Sequence, residues 1–335
     1  MVLRKKRWAF VLTMLLTVML TYLLSSMLKF SSNIPIPDTT QFAQNLSAYS
    51  IYQGEMTNLL PSDDFHELEL PSSLFVNYAE KQRLVKLPAG ERMQKVKDGG
   101  LPEFPNKTVL VKTFFYYDDV RNPSLGKRVI ETRLLIKDAD LWNVATYVWN
   151  DSQSEAFLDQ DGFDTKVSWL DDEGNSRKIA YHVPSQHECI GCHQTDLKVT
   201  PIGPKLRNLN FIVERDGQPV NQLEHLQSLD LLDIFDHNQI ASLPDYTDTN
   251  LSLSDRGRAY LDINCAHCHN PAGYPKSARR EFDFSLETPL SQAGILQKER
   301  KIGNVIKNVE MPYLGVTTLD REGMKLVQAY LDSLR

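Results

Sequence analysis

The cysteines of this chain fall into two pairs of identical spacing, and a histidine follows each pair directly. The segments read CIGCH at residues 189–193 and CAHCH at residues 265–269. Two thiols at this spacing can attach to one haem, and the adjacent histidine can then bind its iron. The pattern therefore predicts two covalently bound c-type haems. The predicted attachment residues are Cys189, Cys192, Cys265 and Cys268, and the predicted iron ligands next to them are His193 and His269.

Three other uses of paired cysteines stay open. A disulfide within C-x-x-C and a redox-active thiol are both possible, but no thioredoxin-like βαβ pattern surrounds either pair. A zinc ion held by both pairs would bridge a separation far longer than that of a zinc ribbon, and it would leave both histidines without a role. Haem attachment uses every cysteine and both histidines, so we favour that interpretation.

The residues around the second motif predict a small helical unit that supplies a second iron ligand. Ser252 and Asp255 form a capping-box pattern at the start of a helix that leads into the motif. Thr317 and Asp320 open a closing helix with apolar residues at helical spacing. Between the helices, Met311 precedes a proline, and its thioether is the predicted partner of His in the second haem. A simple packing role for this methionine is the alternative.

The second iron ligand of the first haem is harder to assign, because no Met-Pro sequence follows CIGCH. His225 lies in an apolar helical pattern downstream and is the preferred candidate. His187 is too close to Cys189 in the sequence for its side chain to pass easily round the edge of the haem to the other side of the iron. His182 ends a predicted strand, where a structural role accounts for it equally well. The alternatives to His225 are that another residue binds this iron, or that the iron keeps an open coordination position. An open position could bind peroxide or oxygen, so this ligand decides between electron transfer and substrate chemistry.

Residues upstream of the first motif predict an antiparallel, sandwich-like or barrel-like sheet. β-branched and aromatic runs alternate there with turn residues. The runs are TVLVKTFFYYDD, RVIETRLLIKD, NVATYVWND and TKVSWLDDEG, and a final strand, KIAYHVP, leads into the first motif.

The N-terminal 30 residues predict a membrane segment. The basic sequence RKKR precedes an uncharged run from Trp8 to Leu28, which is long enough to span a bilayer as a helix. The positive-inside rule places the N-terminus in the cytoplasm and the bulk of the chain in the periplasm. A long cleaved signal peptide is the alternative, and it would export the rest of the chain as well.

The charge distribution bears on the partners of the chain. The formal net charge is -6, and the basic residues of the first 30 positions hide a still more acidic remainder. Such a chain is a poor candidate for nucleic-acid binding, because that affinity depends on neutralising phosphates. Lys276, Arg279 and Arg280 follow the second motif and are predicted to rim a docking face for a redox partner. A solvated loop or a salt bridge to a haem propionate is the alternative.

Residues 249–335 resemble a class I cytochrome c domain, with a helix, CxxCH, a long loop, a Met-Pro loop and a closing helix. The resemblance implies close contact between the first and last helices, at Gly257 and Tyr330. RAYLDINCAHCHNPAG, TPIGPKLRNLN, NQLEHL, TVLVKTFFYY and ETRLLI resemble segments of an uncharacterised family of bacterial dihaem c-type cytochromes.

The combined prediction is an α+β multidomain chain. It comprises a membrane helix (1–30), a linker (31–55), a β-rich sandwich-like domain ending in the first motif (56–200), a connecting helical segment (201–248) and an all-α cytochrome c-like domain (249–335). The predicted function is a membrane-anchored, periplasmic dihaem cytochrome that passes single electrons between redox partner proteins. A dihaem peroxidase or oxidase is the alternative, and a β-sandwich sensor that uses haem is a third.

Overall fold

The structure, a computed structural model, describes residues 41–96, 99–274, 281–308, 310–312 and 314–335. A six-stranded antiparallel sheet forms its centre, with the strands in sequence order from one edge to the other. The strands are β1 (His66–Glu67), β2 (Glu80–Lys86), β3 (Val109–Tyr117), β4 (Lys127–Asp138), β5 (Leu141–Trp149) and β6 (Ala156–Asp159). This meander confirms the predicted β-rich, antiparallel character of the region before the first motif.

The alternation of side chains along β3 and β4 gives the sheet two buried faces. Val111 and Leu134 belong to a core that is closed by the segment before β1, where Leu46 and Ile51 are fully buried. Phe114 belongs to a core on the other face. Successive residues of a strand point to opposite faces, so a strand buried on both faces reads as an almost continuous apolar run.

Three further hairpins complete the β structure of the described residues. They are β7 (Phe163–Leu170) with β8 (Ser176–Val183), β9 (Gln194–Thr195) with β10 (Lys198–Val199), and β11 (Ile212–Arg215) with β12 (Gln218–Asn221). Tyr181 and Val183 of the β7–β8 hairpin join the core around Phe114. This hairpin therefore packs on one face of the central sheet and leads directly into the first motif.

Six α-helices follow or separate these strands in the described part of the chain. They are α1 (Gln186–His193), α2 (Leu206–Leu209), α3 (Gln222–Ser228), α4 (Leu253–Cys265), α5 (Ile295–Lys307) and α6 (Arg321–Ser333). Single turns of 3-10 helix occur at Leu46–Tyr49, Met56–Asn58, Pro123–Leu125 and His237–Gln239.

The prediction of a separate all-α cytochrome domain over residues 249–335, and with it the multidomain fold class, is wrong. That region contributes only α4, α5 and α6 among the described residues, and it belongs to the same compact unit as the sheet. The physical reason lies in α4, whose buried polar residues find their partners outside the region. Asp262 pairs with Arg207, and the Asn264 side-chain oxygen accepts a hydrogen bond from the backbone N–H of Phe75 at 2.8 Å.

The predicted membrane location is also contradicted by what the structure describes. Its longest helices have 13 residues, whereas a membrane span needs about 20. No helix among the described residues is both long enough and apolar enough to cross a membrane. Residues 1–30, on which the prediction of a membrane anchor rested, lie outside the described residues.

The first and last helices of the C-terminal region make the contact that the resemblance implies. A Cβ atom added to Gly257 would lie 2.4 Å from the ring of Tyr330, which is far too close. In the same way, Gly323 on α6 lies directly against Tyr260 on α4, and a Cβ atom added to Gly323 would lie 2.2 Å from the tyrosine ring. Two glycines therefore let α4 and α6 cross at close range.

Candidate functional site

The first motif lies on α1, which is fixed to the sheet at its N-terminal end. Ser185 caps the helix and forms a capping box with Glu188. The Gln186 side chain donates a hydrogen bond to the carbonyl of Val144 on β5, at 3.1 Å. His182 at the end of β8 contacts the Glu188 carboxylate at 3.0 Å. The strand that precedes the motif therefore holds the helix that carries it.

His193 has a fixed ring orientation. Its Nδ1 lies 2.9 Å from the carbonyl oxygen of Thr200, and because a carbonyl only accepts, Nδ1 carries the proton. Burial is the main cause that lowers the pKa of His193 to about 3, so the ring is neutral. The lone pair of Nε2 is then available to a metal, in the arrangement that orients histidine ligands in metalloproteins.

The second motif forms the turn that follows α4. The carbonyl of Cys265 accepts hydrogen bonds from the backbone N–H groups of Cys268 and His269, at 3.1 and 2.9 Å. A Cβ on Gly273 would lie 2.1 Å from the carbonyl oxygen of Cys268, so only glycine fits there. The His269 ring packs against Phe282 and Phe284, with centroids 5.6 and 5.2 Å away.

The fold brings the two motifs together, although they are far apart in the sequence. An antiparallel bridge joins Thr195 to Gly273, and the N–H of Asp196 donates to the carbonyl of Ala272 at 3.0 Å. The Cys192 and Cys268 side chains are close neighbours. Cys268 is the main cause that raises the pKa of Cys192, and Cys192 is the main cause that lowers the pKa of Cys268.

A buried ion pair also connects α2, which follows the first motif in the sequence, with α4, which leads into the second motif. The Arg207 guanidinium donates to both carboxylate oxygens of Asp262 at 2.7 Å, and the side chains are 3% and 2% exposed. Asp262 lies on α4, one turn before the second motif, and also accepts from the backbone N–H of Leu286 at 2.9 Å. Sequence reasoning missed this pair, because nothing in the local pattern at either position indicates a partner 55 residues away.

All four cysteines are free thiols, so neither pair forms a disulfide. Burial raises the pKa of Cys189 to about 11 and that of Cys265 to about 12, which keeps both thiols protonated at neutral pH. Within the described residues, no three or more His, Cys, Asp or Glu side chains are grouped so as to hold a metal ion. The predicted iron ligands His193, His225 and His269 therefore belong to no such group within the described residues.

A cavity lies beside the first motif and has a volume of about 1130 Å³ when its solvent-filled mouth is included. Most of its wall is apolar and comes from the central sheet, the segment before β2 and the loop after residue 311. Its chemically reactive lining residues are Cys189, Cys192, His193 and His267.

His267, the residue between the cysteines of the second motif, faces the cavity of the first. Its ring is a neighbour of the Cys192 thiol. Its Nδ1 atom is buried and has no hydrogen-bond partner among the described residues. An unpaired buried polar atom costs free energy, so a ligand that bonds to this nitrogen would stabilise it. Sequence reasoning missed His267, because the motif pattern allows any residue at this position.

The other predicted site residues lie elsewhere. Met311 is 37% exposed, and the residues that follow it, including Pro312 and Leu314, line the cavity of the first motif. His225 lies on α3, where burial and the nearby Arg215 lower its pKa, and it is not among the described residues that line this cavity. Lys276, Arg279 and Arg280 lie outside the described residues.

The residues around the first motif fit a covalently bound haem. Two reduced thiols, a neutral histidine protonated at Nδ1, the Nδ1 of His267, which has no partner among the described residues, and apolar walls are all present at one cavity. A haem supplies ring nitrogens of its own, so it requires no group of three protein ligands. No family model, curated protein or solved structure is significantly similar to the chain.

Proposed function

We propose that this chain is a dihaem c-type cytochrome that carries single electrons between redox partner proteins. Cys189 and Cys192 would hold one haem through thioether bonds, and Cys265 and Cys268 the other. His193 and His269 would each bind an iron. When bound, the haems supply iron centres that accept and release one electron at a time.

The observation that carries this proposal is the contact between the motifs. The bridge from Thr195 to Gly273 holds the two segments together, and the Cys192 and Cys268 side chains are close neighbours. An isolated attachment motif would be compatible with many uses of haem. Two motifs in direct contact favour exchange of electrons between the two centres, and that is the task of a multihaem electron carrier.

The residues of the chain orient and insulate these centres. The Thr200 carbonyl fixes the His193 ring through Nδ1, so that Nε2 faces away from the backbone hydrogen bond. Phe282 and Phe284 pack on the His269 ring and limit the access of water to it. Such surrounding groups tune a metal site through hydrogen bonding and polarity.

A spectroelectrochemical titration tests the proposal. The unaltered chain should show two one-electron steps, and C189A/C192A and C265A/C268A should each show one. H237A serves as the matched control, because His237 lies outside both motifs and pairs with the exposed Glu224. A single step in the unaltered chain, or two steps in either double variant, would contradict the proposal.

A dihaem peroxidase or oxidase is the second candidate, and the open mouth of the cavity favours it. An accessible iron would bind carbon monoxide when reduced, whereas an iron with two firm axial ligands would not. Carbon monoxide binding to the unaltered chain would favour the enzyme, and its absence would favour the electron carrier. H267A should open the first site to carbon monoxide if His267 is the second ligand there.

Met311 remains the predicted second ligand of the other haem. M311A should abolish the weak far-red band of thioether-bound ferric haem and lower the potential of that haem, because a thioether favours the reduced iron. M324A is the control, since Met324 lies on α6. Retention of the band in M311A would exclude Met311 as the ligand.

A further inference from the structure

Three basic side chains form a row across the central sheet. Arg83 on β2 lies opposite Lys112 on β3, and Lys112 lies opposite Arg133 on β4. All three line the cavity of the first motif. Like charges directly opposite each other destabilise a sheet, so a row of three basic residues requires a compensating interaction.

Among the described residues, a carboxylate pairs with only one of these three basic groups. Arg133 donates two hydrogen bonds to the buried Glu131, at 2.8 and 2.5 Å. Glu131 also accepts a hydrogen bond from the Tyr181 hydroxyl at 2.6 Å, so its acceptor capacity is largely used. The Glu131 carboxylate is therefore the ion-pair partner of Arg133 alone among the three basic residues.

Arg83 and Lys112 have no carboxylate within ion-pair distance among the described residues. Arg83 donates to the Ser73 hydroxyl at 2.8 Å, and the Nζ of Lys112 lies 5.2 Å from the centre of the Phe114 ring. Burial is the main cause that lowers the pKa of Arg83 to about 10 and that of Lys112 well below its usual range. A bound anion would reverse this effect by stabilising the charged forms.

The remaining wall of the cavity defines the rest of the ligand. Leu74, Phe75, Leu110 and Leu135 are apolar, and the thiols of the first motif lie in the same cavity. The complementary ligand is therefore a large apolar group with two negative charges at one edge. A haem has this form, because its macrocycle is apolar and it carries two propionates.

We propose that Arg83 and Lys112, next to the Arg133–Glu131 pair, bind the two propionates of the haem attached to Cys189 and Cys192. This assignment rests on the proposed function. It explains why basic residues occupy one face of a sheet next to a haem motif, and it defines which edge of the haem faces the sheet.

Reduction potentials in a C265A/C268A background test the proposal, because only the first haem is then present. A nearby positive charge favours the reduced iron, so K112M and R83M should each lower the ratio of reduced to oxidised haem at fixed potential by about tenfold. For a one-electron couple this equals a shift of about 59 mV. K86M is the matched control, since Lys86 lies on β2 and pairs with the exposed Asp64.

K112R retains the charge and should retain the potential, which separates an effect of charge from a defect in folding. Loss of haem from K112M but not from K112R would support the same assignment. Potentials of K112M and R83M equal to that of K86M would overturn it. Absence of haem from the background chain before any basic residue is changed would overturn the proposed function and this assignment together.

Discussion

The two CxxCH motifs have the same form but lie in different surroundings. The first lies against a sheet whose face carries basic residues, and its histidine is fixed by a backbone carbonyl. The second follows a buried helix, and its histidine packs against two phenylalanine rings. Under the proposed function, the motif would determine where a haem is attached, while the elements around it would determine the polarity that each iron experiences.

This difference has a consequence for the order of the potentials. A thioether ligand would raise the reduction potential of the second haem. The row of Arg83, Lys112 and Arg133 would raise the reduction potential of the first haem. The two effects oppose each other. The iron ligands alone would give the second haem the higher reduction potential. The variants of Lys112 and Arg83 measure how far the basic residues of the sheet reduce the difference between the two potentials.

The largest expected effect comes from the ion pair that joins the two regions. R207M should destabilise the fold by about 3–5 kcal/mol, because it leaves the buried Asp262 carboxylate without its main partner. Urea unfolding measures the loss. The double variant R207M/D262L should recover much of it, since neither charge is then left buried alone. A change below about 1 kcal/mol in R207M would show that the pair does not hold the regions together.

Packing within the C-terminal region gives a smaller effect. G257A should cost about 1–3 kcal/mol, because the added methyl group overlaps the Tyr330 ring. G303A is the matched control, where the nearest atom is the flexible end of Gln328 at 3.1 Å. It should be neutral or stabilise by up to about 1 kcal/mol through helix propensity. Equal effects of both substitutions in thermal unfolding would contradict the close crossing of α4 and α6.

The smallest effect concerns the support of the first motif. Burial alone would lower the pKa of His182, but hydrogen bonds and charges from Glu188 and Asp164 raise it. Its contribution to stability is therefore present below the pKa of the unfolded chain, about 6.5, and is lost as the pH rises through the folded value. H182Q should reduce the difference in melting temperature between pH values of about 5.5 and 8. An unchanged difference would exclude this interaction as a support of α1.

Local sequence patterns predicted the elements better than their assembly. The β-branched runs became strands, and Ser252 caps α4 as predicted. Asp320, and not Thr317, caps the last helix, because the Thr317 hydroxyl instead donates to the Ala180 carbonyl. Such choices depend on partners that are distant in the sequence.

The basic residues of the sheet and the Arg207–Asp262 pair, both missed by sequence reasoning, depend on contacts between distant parts of the sequence. The row of Arg83, Lys112 and Arg133 exists only through strand register, and each residue taken alone resembles an ordinary strand cation. The helical pattern of residues 249–335 likewise resembles an independent domain. Periodicity reports that a face is buried but not which element buries it, so the contacts of α4 outside its own region were not foreseen.

Intact mass tests the central claim most directly. The full chain, produced in cells that attach c-type haem, should have the mass of the polypeptide plus two haems after denaturation. C189A/C192A and C265A/C268A should each carry one haem. A bare polypeptide with four free thiols, or a chain whose only bound group is zinc, would contradict the account.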